Sequence, residues 1–406
     1  MRSTTLLNRQ HIVAPVLGLP DGAAATVFGA ARMRGPIARD TIAQVTPLSI
    51  ATVNRQVTSL LDAGLLRERP DLAATGAIGR PRVPVEVNHE PYLTIGLHIG
   101  ARTTSIVAAD LFGRTLDVVE TPTPQTGQDA ALAALAGSAR RYLSRWHRRR
   151  ALWVGVAIGG VVDSATGTVD HPRLGWTNAP VGAVLAETLG LPASVAAHVD
   201  AMAGAELLLG MRRFAARSST SLYIYARETV GYALAIDGRV HSPSSGPGTI
   251  AALPVHSELL GGSGRLESTV SDEAVMAAAR RLRIVPKESS TTTAVLRAAR
   301  QGSVPAQELL AERARVLGSA VALLRDMLNP DDLVVGGQAF TDYPEGTAEI
   351  EAAYAETATL PPRDIRVTAF GSRVQEAGAG VVSLGALFAD PIGAMRRASR
   401  RTGVPA

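Results

Sequence analysis

The chain has 406 residues, 46% of them hydrophobic and 19% charged, a balance that excludes a disordered protein and gives enough length for two or three domains. It contains no cysteine, which excludes disulfides, thiol catalysis and thiolate-ligated zinc. The formal net charge is +5 and Lys287 is the single lysine, so the basic character is carried by arginine; this is compatible with a nucleic-acid partner without requiring one.

In chain order, residues 1–22 read as a loose arm. They hold no apolar run of signal-peptide length, and Pro15 and Pro20 interrupt them. No stretch reaches the roughly 18–20 apolar residues of a membrane span, so a cytoplasmic protein without membrane contact is expected.

Residues 23–90 read as a compact helical domain ending in a Pro/Gly/Arg hairpin. The segment 36–69 has the pattern helix, turn, helix, then the start of a β-wing. Thr46 is the expected N-cap of the second helix, with Pro47 at its first position. Ile50, Val53, Val57, Leu60 and Leu61 recur at helical spacing and form one apolar face. The opposite face carries Ala51, Thr52, Arg55 and Ser59, with Ser49 and Gln56 at its margins. Small and hydrogen-bonding side chains of this kind suit a major groove. Gly64 is the expected left-handed residue that ends the helix, and Leu65 and Leu66 begin the wing.

The wing closes on Gly79-Arg80-Pro81-Arg82. Such a turn is extended, stiff and positively charged, and can lay Arg80 and Arg82 along a narrow minor groove. Amphipathic helix pairs are common, and a lone arginine on a helix is usually only solvated. The wing and its Gly-Arg-Pro turn tip the reading toward DNA.

Residues 91–390 read as a large α/β region with two similar openings, 92–116 and 221–240. Each is a β run, a small-residue turn, a second β run, then a tight turn at Phe112-Gly113 or Asp237-Gly238. Two related α/β halves are therefore expected. Helices are expected over 128–145, 182–190, 200–214, 272–282 and 304–328. The arginine-rich run 140–150 reads as a solvated helix end, and residues 391–406 as a frayed basic tail.

A winged helix-turn-helix, a Gly-Arg-Pro wing and a two-lobed α/β region, in that order, resemble the ROK family (repressors, open reading frames, kinases) in its NagC/Mlc repressor type. Three further stretches carry the resemblance: GVAIGGVVDSATGTVDHPRLGWTNAPV (155–181), HVDAMAGAELLLG (198–210) and LNPDDLVVGGQAF (328–340). The resemblance implies an actin-like (ribonuclease H-like) ATPase fold and a homodimer or homotetramer.

The departures from the family pattern are informative. The family's kinases open on an Asp-x-Gly-Gly-Thr phosphate loop, which here reads His98-Ile99-Gly100-Ala101-Arg102-Thr103-Thr104. Their second glycine loop reads Ala226-Arg227-Glu228-Thr229-Val230-Gly231. Glycine loops let backbone N–H groups approach phosphate, which Arg227 and Glu228 obstruct. ATP turnover is therefore not expected, and no cofactor is.

The family's zinc motif reads Glu258-Leu259-Leu260-Gly261-Gly262-Ser263-Gly264-Arg265-Leu266-Glu267, with every thiolate position replaced. No metal site is expected, and His256 alone does not make one. Of the family's sugar-contacting positions, Asp200 and Glu267 match. Each has a structural alternative, Asp200 as a helix N-cap and Glu267 as a satisfied carboxylate. With Gly160 and Asn178 they form the candidate effector pocket. An ordinary sugar, an altered small-molecule or protein effector, and no effector remain open.

The expected function is a sequence-specific DNA-binding transcriptional regulator with a catalytically inactive sugar-kinase-like domain. Its partner would be double-stranded operator DNA. The alternatives are a sugar kinase of the same family and a protein-interaction scaffold with incidental DNA contact.

Overall fold

The structure is a computed structural model that describes residues 11–73, 83–210, 219–243 and 246–402. The chain divides into two compact units. The first holds Met1–Leu209, Ser244–Gly246 and Gln375–Ala406; the second holds Gly210–Pro243 and Pro247–Val374.

The first unit begins with three helices, α1 (Ala23–Arg34), α2 (Arg39–Val45) and α3 (Ile50–Asp62). Val27, Phe28, Ala31, Ile42, Val53, Val57 and Leu60 close their shared core and are essentially inaccessible to solvent. Strands β1 (Leu66–Glu68) and β2 (Val85–Val87) pair antiparallel, Leu66 opposite Val87, and make the base of the wing.

Beyond the head lie β3 (Tyr92–Ile99), β4 (Thr103–Ala109), β5 (Thr115–Pro122), α4 (Gln128–Ser144) and β6 (Arg150–Ile158). A small antiparallel sheet follows, made of β7 (Val161–Asp163), β8 (Thr168–His171) and β9 (Trp176–Ala179). Next come α5 (Val181–Leu189), β10 (Ala193–Ala197) and α6 (His198–Leu209). The main sheet runs β10-β6-β3-β4-β5, with β10, β6 and β3 parallel and the last two strands antiparallel.

The second unit contains β11 (Thr220–Ala226), β12 (Val230–Ile236), β13 (Arg239–His241), β14 (Gly248–Thr249), α7 (Leu266–Val270), α8 (Asp272–Arg281), α9 (Thr293–Arg300) and α10 (Val304–Leu328). It continues with β15 (Asp332–Gly336), α11 (Gln338–Thr341), α12 (Thr347–Thr357) and β16 (Ile365–Val367). Its sheet order is β13-β12-β11-β15-β16. The second strand pair in each sheet is antiparallel and the crossover strands are parallel, so the two sheets repeat one topology. The two similar openings of the sequence are the first strand pairs of these two sheets.

The chain then returns to the first unit through α13 (Val374–Ala389) and α14 (Pro391–Thr402). Gly96 and Gly155 let α13 lie directly on the first sheet: a Cβ at Gly155 would meet the backbone nitrogen of Ser383 at 2.2 Å. Ser383 Oγ donates to Thr94 Oγ1 at 2.7 Å across that seam.

Two segments differ from expectation. The described part of the arm is not loose. Val13 N–H donates to Ala193 C=O, Ala193 N–H donates to His11 C=O, and Ile12 pairs parallel with Ala193, so the arm extends the sheet beyond β10. Leu17 is buried in the space that Gly204 leaves in α6. An open sheet edge with unpaired N–H and C=O groups is what draws an extended segment to that place. The C-terminal segment is not frayed over 391–402 but forms α14. Ala394, Met395 and Ala398 give it a buried face, and Arg396 and Arg397 lie outward. Among the described residues no single helix is long and apolar enough to cross a membrane.

Candidate nucleic-acid interface and degenerate kinase loops

Helix α3, the second helix of the helix-turn-helix pattern, starts three residues later than the sequence predicts. Its N-cap is Ser49, whose side chain accepts the Thr52 N–H at 3.2 Å, and the segment from Thr46 to Ser49 is the interhelical turn. Thr46 instead donates its hydroxyl back to Ile42 C=O at 2.7 Å, which removes it from capping. The C-terminal stop falls where expected. Gly64 has φ +72°, its N–H donates to Leu61 C=O, and Leu65 N–H donates to Leu60 C=O, the two bonds of a Schellman motif.

Val53, Val57 and Leu60 face the core. The directly opposite side exposes Ala51, Arg55 and Thr58, with Asn54 exposed beside them. Of the residues assigned to DNA from sequence, Ser49 and Arg55 are exposed and Thr52, Gln56 and Ser59 are half-buried. Ser49 and Thr52 are also bound to each other, hydroxyl to hydroxyl at 3.0 Å. Asn54 and Thr58 belong to the exposed face and were missed by a face drawn through Thr52 and Ser59. Placing both on a helical wheel centred on Val53 and Val57 would have found them.

Ile50 is the main correction. Its spacing predicts burial with Val53, yet it is 49% exposed. It occupies the first helical position, where the Cβ leans toward the N-terminus and past the edge of the core.

The base of the wing is held by ion pairs. Glu86 on β2 accepts from Arg67 Nε at 2.7 Å and from Arg69 at 2.9 Å, and Arg67 also reaches Glu90 at 2.9 Å. Arg80 and Arg82 lie outside the described residues. In the arginine run, Arg140, Arg141, Arg145 and Arg148 are exposed, while Arg149 donates to the carbonyls of His89 and Tyr92.

Both segments that align with the family's phosphate loops are closed turns. In the first unit, Gly100 N–H donates to Thr103 C=O, and Thr123 closes the turn from outside through Arg102 C=O and Gly100 C=O. His98, where kinases carry a carboxylate, is 3% exposed and its ring stacks on that of His198 with centroids 6.0 Å apart. Burial pushes the His198 imidazole down to about 4, with His171 adding repulsion, so it is neutral near pH 7.

In the second unit, Arg227 N–H donates to Thr229 C=O and Val230 N–H donates to Glu267 Oε2 at 3.1 Å. Two donors of that loop are therefore occupied within the protein. Asp272 lies between Arg227 at 3.8 Å and Arg313 at 2.7 Å, which fixes the loop against α8 and α10.

The four candidate effector residues are divided between the units. Gly160 (φ +86°) sits against the Asp170 carbonyl, where a side chain would collide. Asn178 (φ +48°) is exposed and donates its N–H to Asp170. Asp200 is 3% exposed and lies inside the first turn of α6, two residues after its start, so it is not an N-cap. Glu267, in the second unit, supports the β11–β12 turn as a structural carboxylate would. The segment 258–267 keeps the left-handed glycines Gly261, Gly262 and Gly264. Among the described residues no three His, Asp or Glu side chains are grouped to hold a metal.

The model of the ROK family matches residues 94–387. A protein named transcriptional regulator in Mycobacterium tuberculosis is 71% identical over 405 residues, covering 98% of this chain and 92% of its own length.

The chain belongs to the ROK family.

The DNA-binding transcriptional dual regulator NagC of Escherichia coli K12 is 24% identical over 328 residues, 77% of this chain and 80% of NagC. Among solved structures, a ROK family transcriptional regulator described as a homologue of the E. coli MLC protein superposes with a TM-score of 0.75. It is 23% identical and covers 92% of this chain and 97% of its own. A ROK family glucokinase from Streptomyces griseus superposes with a TM-score of 0.62 at 23% identity, covering 72% of this chain and 99% of its own. At these identities the two structures speak for the ROK fold alone. The family match begins at residue 94, so the winged head precedes the ROK domain.

Proposed function

We propose that this chain is a sequence-specific DNA-binding transcriptional regulator whose ROK domain does not transfer phosphate. The observation that carries the proposal is the recognition helix α3. It buries Val53, Val57 and Leu60 and presents Ala51, Asn54, Arg55 and Thr58 to solvent beside a two-stranded wing. The name transcriptional regulator borne by relatives 71% identical supports the same reading.

In this reading Arg55 contacts a guanine edge in the major groove, with Ser49, Thr52, Gln56 and Ser59 around it and Arg80 and Arg82 adding minor-groove affinity. A homodimer or homotetramer would set two such helices on half-sites about one helical turn apart. Gly160, Asn178 and Asp200, in the first unit, remain candidate contacts for an effector that biases the heads, and Glu267 is a separate candidate in the second. The test is binding of the full chain to duplexes selected from a random pool, at fixed salt. Arg55→Ala is expected to lower discrimination against the mismatched base by about 10- to 100-fold while leaving the fold intact. Selection that yields no preferred sequence would refute the regulator reading.

The absence of phosphoryl transfer is supported by the two closed loops and by His98 at the carboxylate position. Transfer depends on donors and charge aimed at the moving phosphoryl group, and those donors are engaged elsewhere. A coupled ADP-release assay with hexoses and amino sugars should stay at the buffer blank. Sustained turnover would reverse this part of the proposal.

A further inference from the structure

Ile50 is an exposed isoleucine at the end of α3 that, in a helix-turn-helix, meets base edges first. The neighbouring groups are arranged around it in a particular way. Ser49 and Thr52, the hydroxyl-bearing residues at that end, are bound into the helix cap. The following residue, Ala51, is exposed and also apolar. Apart from the capping Ser49, the polar exposed side chains, Asn54, Arg55 and Thr58, begin one turn later. The first turn of α3 therefore offers apolar side chains at Ile50 and Ala51, and hydrogen-bonding side chains lie beyond it.

In the major groove one base presents an apolar group, the C5 methyl of thymine. Resting on the DNA-reading role proposed above, we propose that Ile50 is a specificity-determining residue that packs on a thymine methyl in each operator half-site. Ile50 and Arg55 are separated by about 7.5 Å along the helix axis and by about 140° around it, at 1.5 Å and 100° per residue. The thymine therefore lies at a different base pair from the guanine read by Arg55. Half-exposure of the isoleucine in the free protein is unfavourable, and contact with the methyl removes that exposure on binding.

The experiment uses the full-length protein and its selected duplex. Each thymine is replaced in turn by deoxyuridine, which keeps the pairing edge and the O4 acceptor and lacks only the methyl. One position in each half-site is expected to weaken wild-type binding by about fourfold, the equivalent of one buried methyl group. At that position Ile50→Ala should bind thymine and deoxyuridine equally, and Ile50→Val should retain most of the discrimination. A thermal melt of Ile50→Ala close to wild type shows that the head is intact. If the wild type is indifferent to deoxyuridine at every position, or Ile50→Ala keeps the full discrimination, the inference is overturned. If the protein selects no sequence at all, the regulator reading fails, and this inference fails with it.

Discussion

Replacing Arg32 with methionine tests what attaches the head to the first sheet. Arg32 lies on α1, yet its guanidinium donates to Leu208 C=O at 3.1 Å and to Phe112 C=O at 3.3 Å, and stands 4.2 Å from the centre of the Phe388 ring. These partners belong to α6, the β4–β5 turn and α13, all within the first unit. Burial lowers the Arg32 pKa to about 10, which still leaves it charged at neutral pH. Methionine keeps the stem and removes the donors. Two hydrogen bonds from a charged group, one of them long, contribute about 3 kcal/mol net of desolvation, and the cation–π contact about 1 kcal/mol more. Loss of 3–4 kcal/mol corresponds to a fall of roughly 6–16 °C in the melting of a unit of this size. Differential scanning calorimetry of the full chain reads this directly. Arg34→Met, on the exposed side of the same helix, is the control and should change stability by less than about 0.5 kcal/mol. Equal melting of wild type and Arg32→Met would refute the claim that this guanidinium holds the head.

The neutral His198 predicts an acid-sensitive fold. Its folded pKa of about 4 lies below the ordinary 6.5, so the unfolded chain binds a proton first as pH falls. The contribution is complete above about pH 6.5 and is lost toward pH 4, at most about 3 kcal/mol. Urea unfolding at pH 7 and pH 5 should show the fall, and His198→Asn should flatten it; an unchanged slope in that variant would contradict the assignment. Gly64→Ala forces an alanine into the left-handed region and brings its Cβ within 2.7 Å of Tyr92 Oη. A loss of at least about 1 kcal/mol is expected in a denaturant titration, and a neutral result would mean that the helix end can shift.

Local signals made much of this protein legible. The helix over Val304–Leu328 has the bounds its apolar spacing predicts, and the stop at Gly64 follows from a residue that reaches positive φ without strain. The paired openings at 92 and 221 announced two repeated sheets. The altered loops were equally readable, because loss of a carboxylate at His98 or of glycine at Arg227 is a matter of residue type. The start of α3 was misread for a local reason of its own. Thr46 and Ser49 both fit an N-cap, and the bond from Thr46 to Ile42 settles which one serves.

Tertiary structure alone decided the rest. Ile50 shares the spacing of buried residues, but it stands at the first helical position and stays half-exposed. The arm carries no strand signal, and His11–Val13 pair with the sheet because the edge of β10 offers them unpaired backbone groups. The closing helices α13 and α14 join the first unit across more than a hundred intervening residues, since Gly96 and Gly155 leave the sheet surface that α13 needs. Periodicity reports which face of an element is apolar. Which of those faces is covered, and by what, is set by contacts between residues far apart in the chain.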